Sequence, residues 1–395
     1  MAEIYNLGEY LTGIADAIRN KKRTTDPINA QDFASEIESI KSGDSSDVDD
    51  SIAIVLPEEL TTLTNFYVFQ ISDDKVLLSG NHDGCGVWLY TISSQQFTQA
   101  YATGYSWQYF QKLPDGNCLI GSASTYLNSG VLLYNSIDDT VTQAYNVGYW
   151  RRFQVLPNGN CLIIGGSGLL FYNAMDATVS LIYDCDSLFH SFQVLSNGNY
   201  LIGGSSSDAG ILIYDPINHT VAQIYATGED WQYFQVLPNG NCLISSSNKN
   251  CVGVLLYNST NNTVTQVYDT GYYWQYFQVL PNGNCLISCS NVGPGVLLYN
   301  ATDNTVTQKY TTGYWSNFQV LSNGDCLISS NHTGGVLFYN VTDNTVTQKY
   351  TLGNWKYFEL LPDNNYLISG SSSIYSYTLM YYADTKTVKP YSYVL

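Results

Sequence analysis

The chain has 395 residues and a formal net charge of −18, with Lys and Arg contributing only 15 residues. This acidity argues strongly against nucleic acid or an anionic membrane surface as a partner. No apolar run approaches the roughly 18 residues needed to cross a bilayer, and residues 1–10 lack the basic start and apolar core of a secretory signal. We therefore expect no membrane insertion, and we expect the chain to fold in a cytoplasm.

Residues 1–40 carry apolar side chains at helical spacing in two segments, which a polar break at 21–27 separates. The first stripe comprises Leu7, Leu11, Ile14 and Ile18, and the second comprises Ala30, Phe33, Ile37 and Ile40. The pattern predicts two short amphipathic helices. Because two such helices are marginal on their own, their apolar faces need burial against each other, another copy or a partner.

Residues 11–40 contain IADAIR, a short basic-polar loop, and then INAQDFASEI. With these residues the segment closely resembles an N-terminal module of structural and fibre-type proteins of tailed bacteriophages and prophages of gut bacteria. The resemblance implies a protein of the virion, assembled in the infected host cytoplasm, whose N-terminus binds other virion proteins. Because phage fibres are commonly trimeric, it also implies a homo-oligomer, with a trimer favoured. The implied docking or symmetry contact comprises Leu7, Leu11, Ile14, Ile18, Phe33, Ile37 and Ile40.

Residues 41–50, KSGDSSDVDD, have an acidic bias and no apolar periodicity. This composition predicts a flexible tether between residues 1–40 and the rest of the chain.

Residues 51–395 contain eight copies of one motif, best seen in FQVLPNGNCLI at 234–244. Each copy predicts a hairpin, closed at a Gly or Asn in every copy except the first, followed by two further strands such as GVLLYN and TVTQVY. At about 43 residues per copy, the period is that of a propeller blade. The sequence therefore predicts an all-β, eight-bladed β-propeller of four-stranded repeats. Seven blades with irregular ends is the alternative, with residues 52–56 as a possible closing strand.

The repeat pattern of LPNGNCLI, small residues, GVLLYN and TNNTVTQ resembles kelch-type blades. The kelch double glycine is present only at Gly165–Gly166 and Gly203–Gly204. Five cysteines share one repeat position, Cys118, Cys161, Cys242, Cys285 and Cys326. We expect these thiols to be buried, reduced and too far apart to form disulfides.

Large aromatic residues recur where one predicted blade leads into the next. One interpretation, which we favour for the tryptophans, is that they pack between neighbouring blades. The other is that some rings lie on an exposed rim, where Tyr and Trp would stack on sugars or contact protein, with avidity from repetition. The candidate ligand-binding residues are Tyr105, Trp107, Tyr149, Trp150, Trp231, Tyr272, Tyr273, Trp274, Tyr314, Trp315 and Trp355.

Signals of catalysis are scarce. The four histidines form no metal-spaced cluster with Cys or carboxylates, and the chain has no phosphate-binding Gly loop, nucleophile elbow or HExxH motif. We predict no catalytic residue, metal or cofactor, and a binding protein rather than an enzyme. The favoured function is a phage fibre or appendage protein whose propeller binds a host-surface glycan or receptor. The alternatives are a scaffold that contacts only virion proteins and, third, a polysaccharide-degrading enzyme with carboxylates from different blades.

Overall fold

The computed structural model describes a large part of the repeat region. The chain divides into two units, Met1–Pro57 and Glu58–Leu395, and every described residue belongs to the second. The predicted N-terminal helices, the tether and the possible closing strand at 52–56 lie outside the described residues. The described residues are 66–80, 86–104, 106–124, 129–166, 168–185, 188–204, 210–226, 230–246, 248, 253–270, 273–289, 295–330, 334–370 and 378–391, without the side chains of Phe66 and His190.

The described residues form eight antiparallel sheets, each with four strands in chain order. Blades one to four contain β1 Phe66–Gln70, β2 Lys75–Gly80, β3 Val87–Thr91, β4 Gln96–Tyr101, β5 Trp107–Lys112, β6 Cys118–Ser122, β7 Val131–Tyr134, β8 Val141–Tyr145, β9 Trp150–Val155, β10 Cys161–Gly165, β11 Gly168–Asn173, β12 Thr178–Asp184, β13 Phe189–Val194, β14 Tyr200–Gly204, β15 Ile211–Asp215 and β16 Thr220–Tyr225. Blades five to eight contain β17 Trp231–Val236, β18 Cys242–Ser246, β19 Val254–Asn258, β20 Thr263–Tyr268, β21 Trp274–Val279, β22 Cys285–Cys289, β23 Val296–Asn300, β24 Thr305–Tyr310, β25 Asn317–Val320, β26 Cys326–Ser329, β27 Val336–Asn340, β28 Thr345–Tyr350, β29 Tyr357–Leu360, β30 Tyr366–Ser369, β31 Thr378–Tyr382 and β32 Thr387–Tyr391.

This architecture is an eight-bladed β-propeller, which confirms the predicted fold class. The alternative of seven blades is wrong, because the degenerate first and last repeats each form a complete four-stranded sheet. The described residues contain no helix.

The turn between the first two strands of a blade explains the repeated PNGN sequence. In blade five the amide of Leu237 donates to the carbonyl of Asn241 at 2.8 Å, and the amide of Gly240 donates back to Leu237 at 2.9 Å. Gly240 has a φ of 85°, and Asn364 takes the same place in blade eight with a φ of 63°. Glycine adopts this conformation without steric cost, and asparagine is the best substitute.

The core lies between neighbouring blades. Second strands such as Cys242–Ser246 are buried at every residue, whereas fourth strands such as Thr263–Tyr268 have exposed positions. Seven apolar clusters each combine side chains of two consecutive blades. Leu78 and Trp88 of the first blade and Met380 of the last blade are also buried, as closure of the ring between these two blades requires. The five repeat cysteines are buried and unpaired, as predicted.

Candidate ligand-binding channel

The first strands of the blades line the central channel. One channel section, of about 710 Å³, is lined by first strands of blades one to four. A second section, of about 720 Å³, is lined by those of blades five to eight. Four blades can share one cavity only along the propeller axis, so the first strand of each blade is the innermost one.

The channel wall alternates aromatic rings with polar side chains. The repeat phenylalanines that define the sequence period are all half-buried here, and Phe69 and Phe110 stack with ring centroids 5.5 Å apart. The Gln that follows the phenylalanine folds back along the strand. In blade five Gln235 donates from Nε2 to the carbonyl of Val236 at 2.8 Å, and Gln278 makes the equivalent bond in blade six. These bonds satisfy carbonyl groups on the free inner edge.

A β-bulge in the first strand determines which side chains face the channel. In blade five Trp231 pairs with Ser246 and Tyr233 pairs with Ser245, so the register shifts at Gln232, which is the bulged residue. Such a bulge re-aims side chains locally. The bulge lets the tryptophan point into the space between blades, while the residues after it line the channel. The bulged residues that line it are Gln108, Arg151, Gln232 and Gln275.

The section formed by blades one to four carries two arginines. Arg151 and Arg152 occupy the places of Gln108 and Tyr109 in the preceding blade. The guanidinium carbon of Arg151 lies 5.2 Å from the ring centroid of Tyr149, a cation–π contact. Burial and the neighbouring Tyr149 raise the pKa of Tyr109, although the charge of Arg151 opposes the shift. Tyr109 is therefore a neutral hydroxyl at physiological pH.

The section formed by blades five to eight is polar and carries a single cation among its described lining residues. Its wall includes the amides of Gln232, Gln275 and Asn317, and Lys356 is the one ionised side chain among its described lining residues. Burial raises the pKa of Tyr233, with Tyr276 as the next cause, so the Tyr233 ring offers an uncharged hydroxyl group beside the amides. Such a wall presents ring faces together with hydrogen-bond donors and acceptors.

The structure corrects the interpretation of the six tryptophans as candidate ligand-binding residues. Trp107, Trp150, Trp231, Trp274, Trp315 and Trp355 are at most 3% exposed. Each ring makes an edge contact with a tyrosine from the fourth strand of the preceding blade. The Trp150 indole also donates to the carbonyl of Val147 at 2.7 Å. These rings hold neighbouring blades together and present no face to a ligand. Burying a large aromatic ring against the preceding blade stabilises the fold more than leaving it exposed.

The structure describes three of the five tyrosines that were predicted as ligand-binding residues. Tyr149, Tyr273 and Tyr314 are half-buried, and Tyr149 contacts the arginine section of the channel. Tyr105 and Tyr272 lie outside the described residues.

The two arginines in the channel, Arg151 and Arg152, were not predicted as site residues. Their signal in the sequence was two adjacent cations at the positions where blades two, five and six have Gln-Tyr.

The described residues contain neither a cluster of metal ligands nor a membrane-spanning helix. Within the described ranges, no group of three or more His, Cys, Asp or Glu could hold a metal ion. That same part of the chain, which contains no helix, has no helical segment that could cross a membrane.

No protein-family model matches the sequence, and no curated protein is detectably similar to it. Among solved structures, NirN, a dihydro-heme d1 dehydrogenase, is 13% identical, with 92% of this chain and 84% of that chain covered and a TM-score of 0.38. The extracellular domain of a one-component system from B. thetaiotaomicron is 9% identical over 83% of this chain and 66% of that chain, with a TM-score of 0.34. PorZ of Porphyromonas gingivalis is 13% identical over 76% and 50%, with a TM-score of 0.34. Similarities of this size carry no conclusion about function.

Proposed function

We propose that the protein is a bacteriophage virion appendage that is anchored through residues 1–40 and binds a host-surface saccharide in the propeller channel. The observation that carries the saccharide part is the channel wall, in which half-buried aromatic rings alternate with amides and hydroxyls. Sugars have apolar faces that stack on aromatic rings and hydroxyl groups that bond to amides. The virion part is supported by the resemblance of residues 11–40 to phage N-terminal modules.

The saccharide proposal is tested with the full chain on an array of bacterial surface polysaccharides. Replacing Tyr233, Tyr276 and Tyr357 by serine removes ring surface from one channel section. Serine suits this register position, because Ser191 already occupies it in blade four. We expect the triple variant to fold and to lose most array binding. Retention of full binding by the variant, or a blank array for the unmodified chain, contradicts the proposal.

A second candidate function, a scaffold that contacts only other virion proteins, is favoured by one surface feature. Ile137, Met175 and Ile217 lie at the same turn position of three consecutive blades and are 93%, 94% and 82% exposed. Blades five to seven have threonine there. A repeated exposed apolar residue suits a protein contact. Replacement of all three by threonine should block incorporation into particles if the scaffold proposal holds, and it serves as the surface control for the array experiment.

The anchor and the third alternative are tested separately. Deletion of residues 1–40 should abolish incorporation into particles and any homo-oligomer, for which a trimer is expected. Unchanged incorporation contradicts the anchor. The proposal is a binding protein without a cofactor, and release of reducing ends from capsule polysaccharide by the purified chain would instead identify an enzyme.

A further inference from the structure

The arginine section of the channel differs in charge from the rest of the wall. Arg151 and Arg152 are the only arginines after residue 23 in a chain with a net charge of −18. Both line the section formed by blades one to four, and Arg152 is exposed. Its described lining residues include no carboxylate. Two adjacent cations therefore face the same cavity, with no carboxylate among the described residues that line it.

The pair also makes no ion pair within the part of the chain that the structure describes. Neither arginine has a carboxylate within ion-pair distance among the described residues. The Nε of Arg151 is buried and has no hydrogen-bond partner there, while the ring of Tyr149 holds the guanidinium from one side. An arginine held against an aromatic ring, with an unused donor, is suited to bind a carboxylate or a phosphate through two parallel hydrogen bonds.

The backbone favours the same conclusion. Trp150 pairs with Gly165 and Arg152 pairs with Ile164, so Arg151 is the bulged residue of its strand. The bulge holds Arg151 and Arg152 in the channel wall by the same geometry that holds Gln108 and Tyr109 in blade two. The local pair can act on a ligand despite the acidic chain, because charges more than about 10 Å away are largely screened at physiological salt.

We infer that this section binds the acidic group of a saccharide, a carboxylate or a phosphate, between Arg151 and Arg152. Tyr109 and Gln108 lie on the same wall and are placed to bond to sugar hydroxyls. The inference rests on the proposed function and names its ligand class: the host-surface saccharide is an acidic one.

The test measures binding of small probes to the full chain in low-salt buffer. Glucuronate, N-acetylneuraminate and glucose 6-phosphate are followed by saturation-transfer NMR, inorganic phosphate by ³¹P line broadening, and glucose serves as the neutral probe. The unmodified chain should bind at least one acidic probe about tenfold or more tightly than glucose, as two charge-assisted bonds predict. Preference for the sugar acids indicates a carboxylate, and preference for the phosphates indicates a phosphorylated saccharide; either result supports the inference.

The decisive variant restores the residues that blade two has at the same positions. Arg151→Gln combined with Arg152→Tyr keeps the strand pattern of the repeat and should abolish the preference for acidic probes. Lys356→Gln removes a cation from the other channel section and should change the Kd by less than about twofold. Equal binding of acidic probes by the double arginine variant and the unmodified chain overturns the inference.

The outcomes also separate this inference from the proposed function. Binding of neutral saccharides on the array without preference for acidic probes overturns the inference and leaves the saccharide proposal standing. Absence of binding to every saccharide and every probe overturns both.

Discussion

Asp139 lies in the turn between the third and fourth strands of blade two and contacts two blades. It accepts a hydrogen bond from the Tyr134 hydroxyl at 2.6 Å, and Lys75 of blade one lies 2.6 Å away. Burial opposes the ionisation of Asp139, but the hydrogen bonds from Lys75 and Tyr134 outweigh it and hold its pKa below the ordinary value. A carboxyl of this kind contributes stability above its unfolded pKa and loses that contribution as the pH falls through its folded pKa.

Replacing Asp139 by asparagine should remove the ion pair and retain the acceptor for Tyr134. Blades five to seven have asparagine at this position, and Asp139 has a φ of 61° that asparagine tolerates. We expect the free energy of unfolding to fall by roughly 0.5–1 kcal/mol at pH 7, because the pair is partly exposed. In urea titrations the difference from the unmodified chain should shrink as the pH falls below about 4, toward the lowered pKa of Asp139. A loss that persists undiminished at pH 3, or one that Lys75→Gln does not reproduce at pH 7, contradicts the assignment to the ion pair.

The repeat cysteines provide a second prediction at the residue scale. Burial raises the pKa of both Cys118 and Cys161 to about 12, whereas Cys185 is half-buried. Since the thiolate is the reactive form, alkylation of Cys118 and Cys161 by iodoacetamide at pH 8 should be at least about 100-fold slower than that of Cys185. Peptide mass spectrometry measures each rate. In denaturant the three rates should converge, and equal rates in the folded chain would contradict the burial.

At the scale of the element, blade three lacks a bond that its neighbours have. In blades five, six and seven the tyrosine of the third strand donates to an asparagine five residues later, as Tyr299 does to Asn304 at 2.6 Å. Blade three has Ala177 at this position, with a φ of 56°. The buried hydroxyl of Tyr172 lies near Asn117 but has no hydrogen-bond partner among the described residues. An unsatisfied buried hydroxyl destabilises the fold.

Replacing Ala177 by asparagine should therefore stabilise the chain. The asparagine supplies an acceptor for Tyr172 and tolerates the left-handed backbone better than alanine, so we expect a gain of about 1 kcal/mol in the free energy of unfolding. Ala177→Gly is the matched control, because it relieves the backbone without supplying an acceptor. The gain of asparagine over glycine should disappear in a Tyr172→Phe background. Equal stability of the asparagine and glycine variants with Tyr172 present would show that no bond forms.

The elements differ in how much of them the sequence predicts. Turn residues such as Gly240 and the alternation of the fourth strands have purely local causes, so the four strands of each repeat were predictable. The channel was not, because the bulge in the first strand shifts the register at one residue and thereby decides which side chains face the axis. A bulge leaves no periodic mark in the sequence. The tryptophans were ambiguous for a related reason: a large aromatic residue suits both an interface between blades and an exposed rim.

At the scale of the whole molecule, each sheet takes all four strands from one repeat. Blades are therefore joined by packing between their faces and by local contacts, and two of the described ion pairs join a terminal blade to its neighbour: Lys75–Asp139 at the first blade and Lys386–Asp325 at the last. Such an assembly is approximately additive along the ring, and it depends on every blade having two neighbours. The end blades, which have the most degenerate repeats, thus have ion pairs where the central blades have hydrogen bonds between Asn and Tyr.

The last prediction concerns the boundary of the folded unit. Because every described strand lies after residue 65, a fragment of residues 51–395 should retain the propeller without residues 1–50. We expect its Tm in circular dichroism to lie within about 3 °C of that of the full chain. As a control, a fragment ending at residue 360 lacks Tyr366, Leu379 and Tyr381 and so exposes the buried face of Phe338 in blade seven. This shorter fragment should lose the cooperative melt. A fall of more than about 10 °C for residues 51–395 would instead show that the N-terminal segment is part of the propeller's stability.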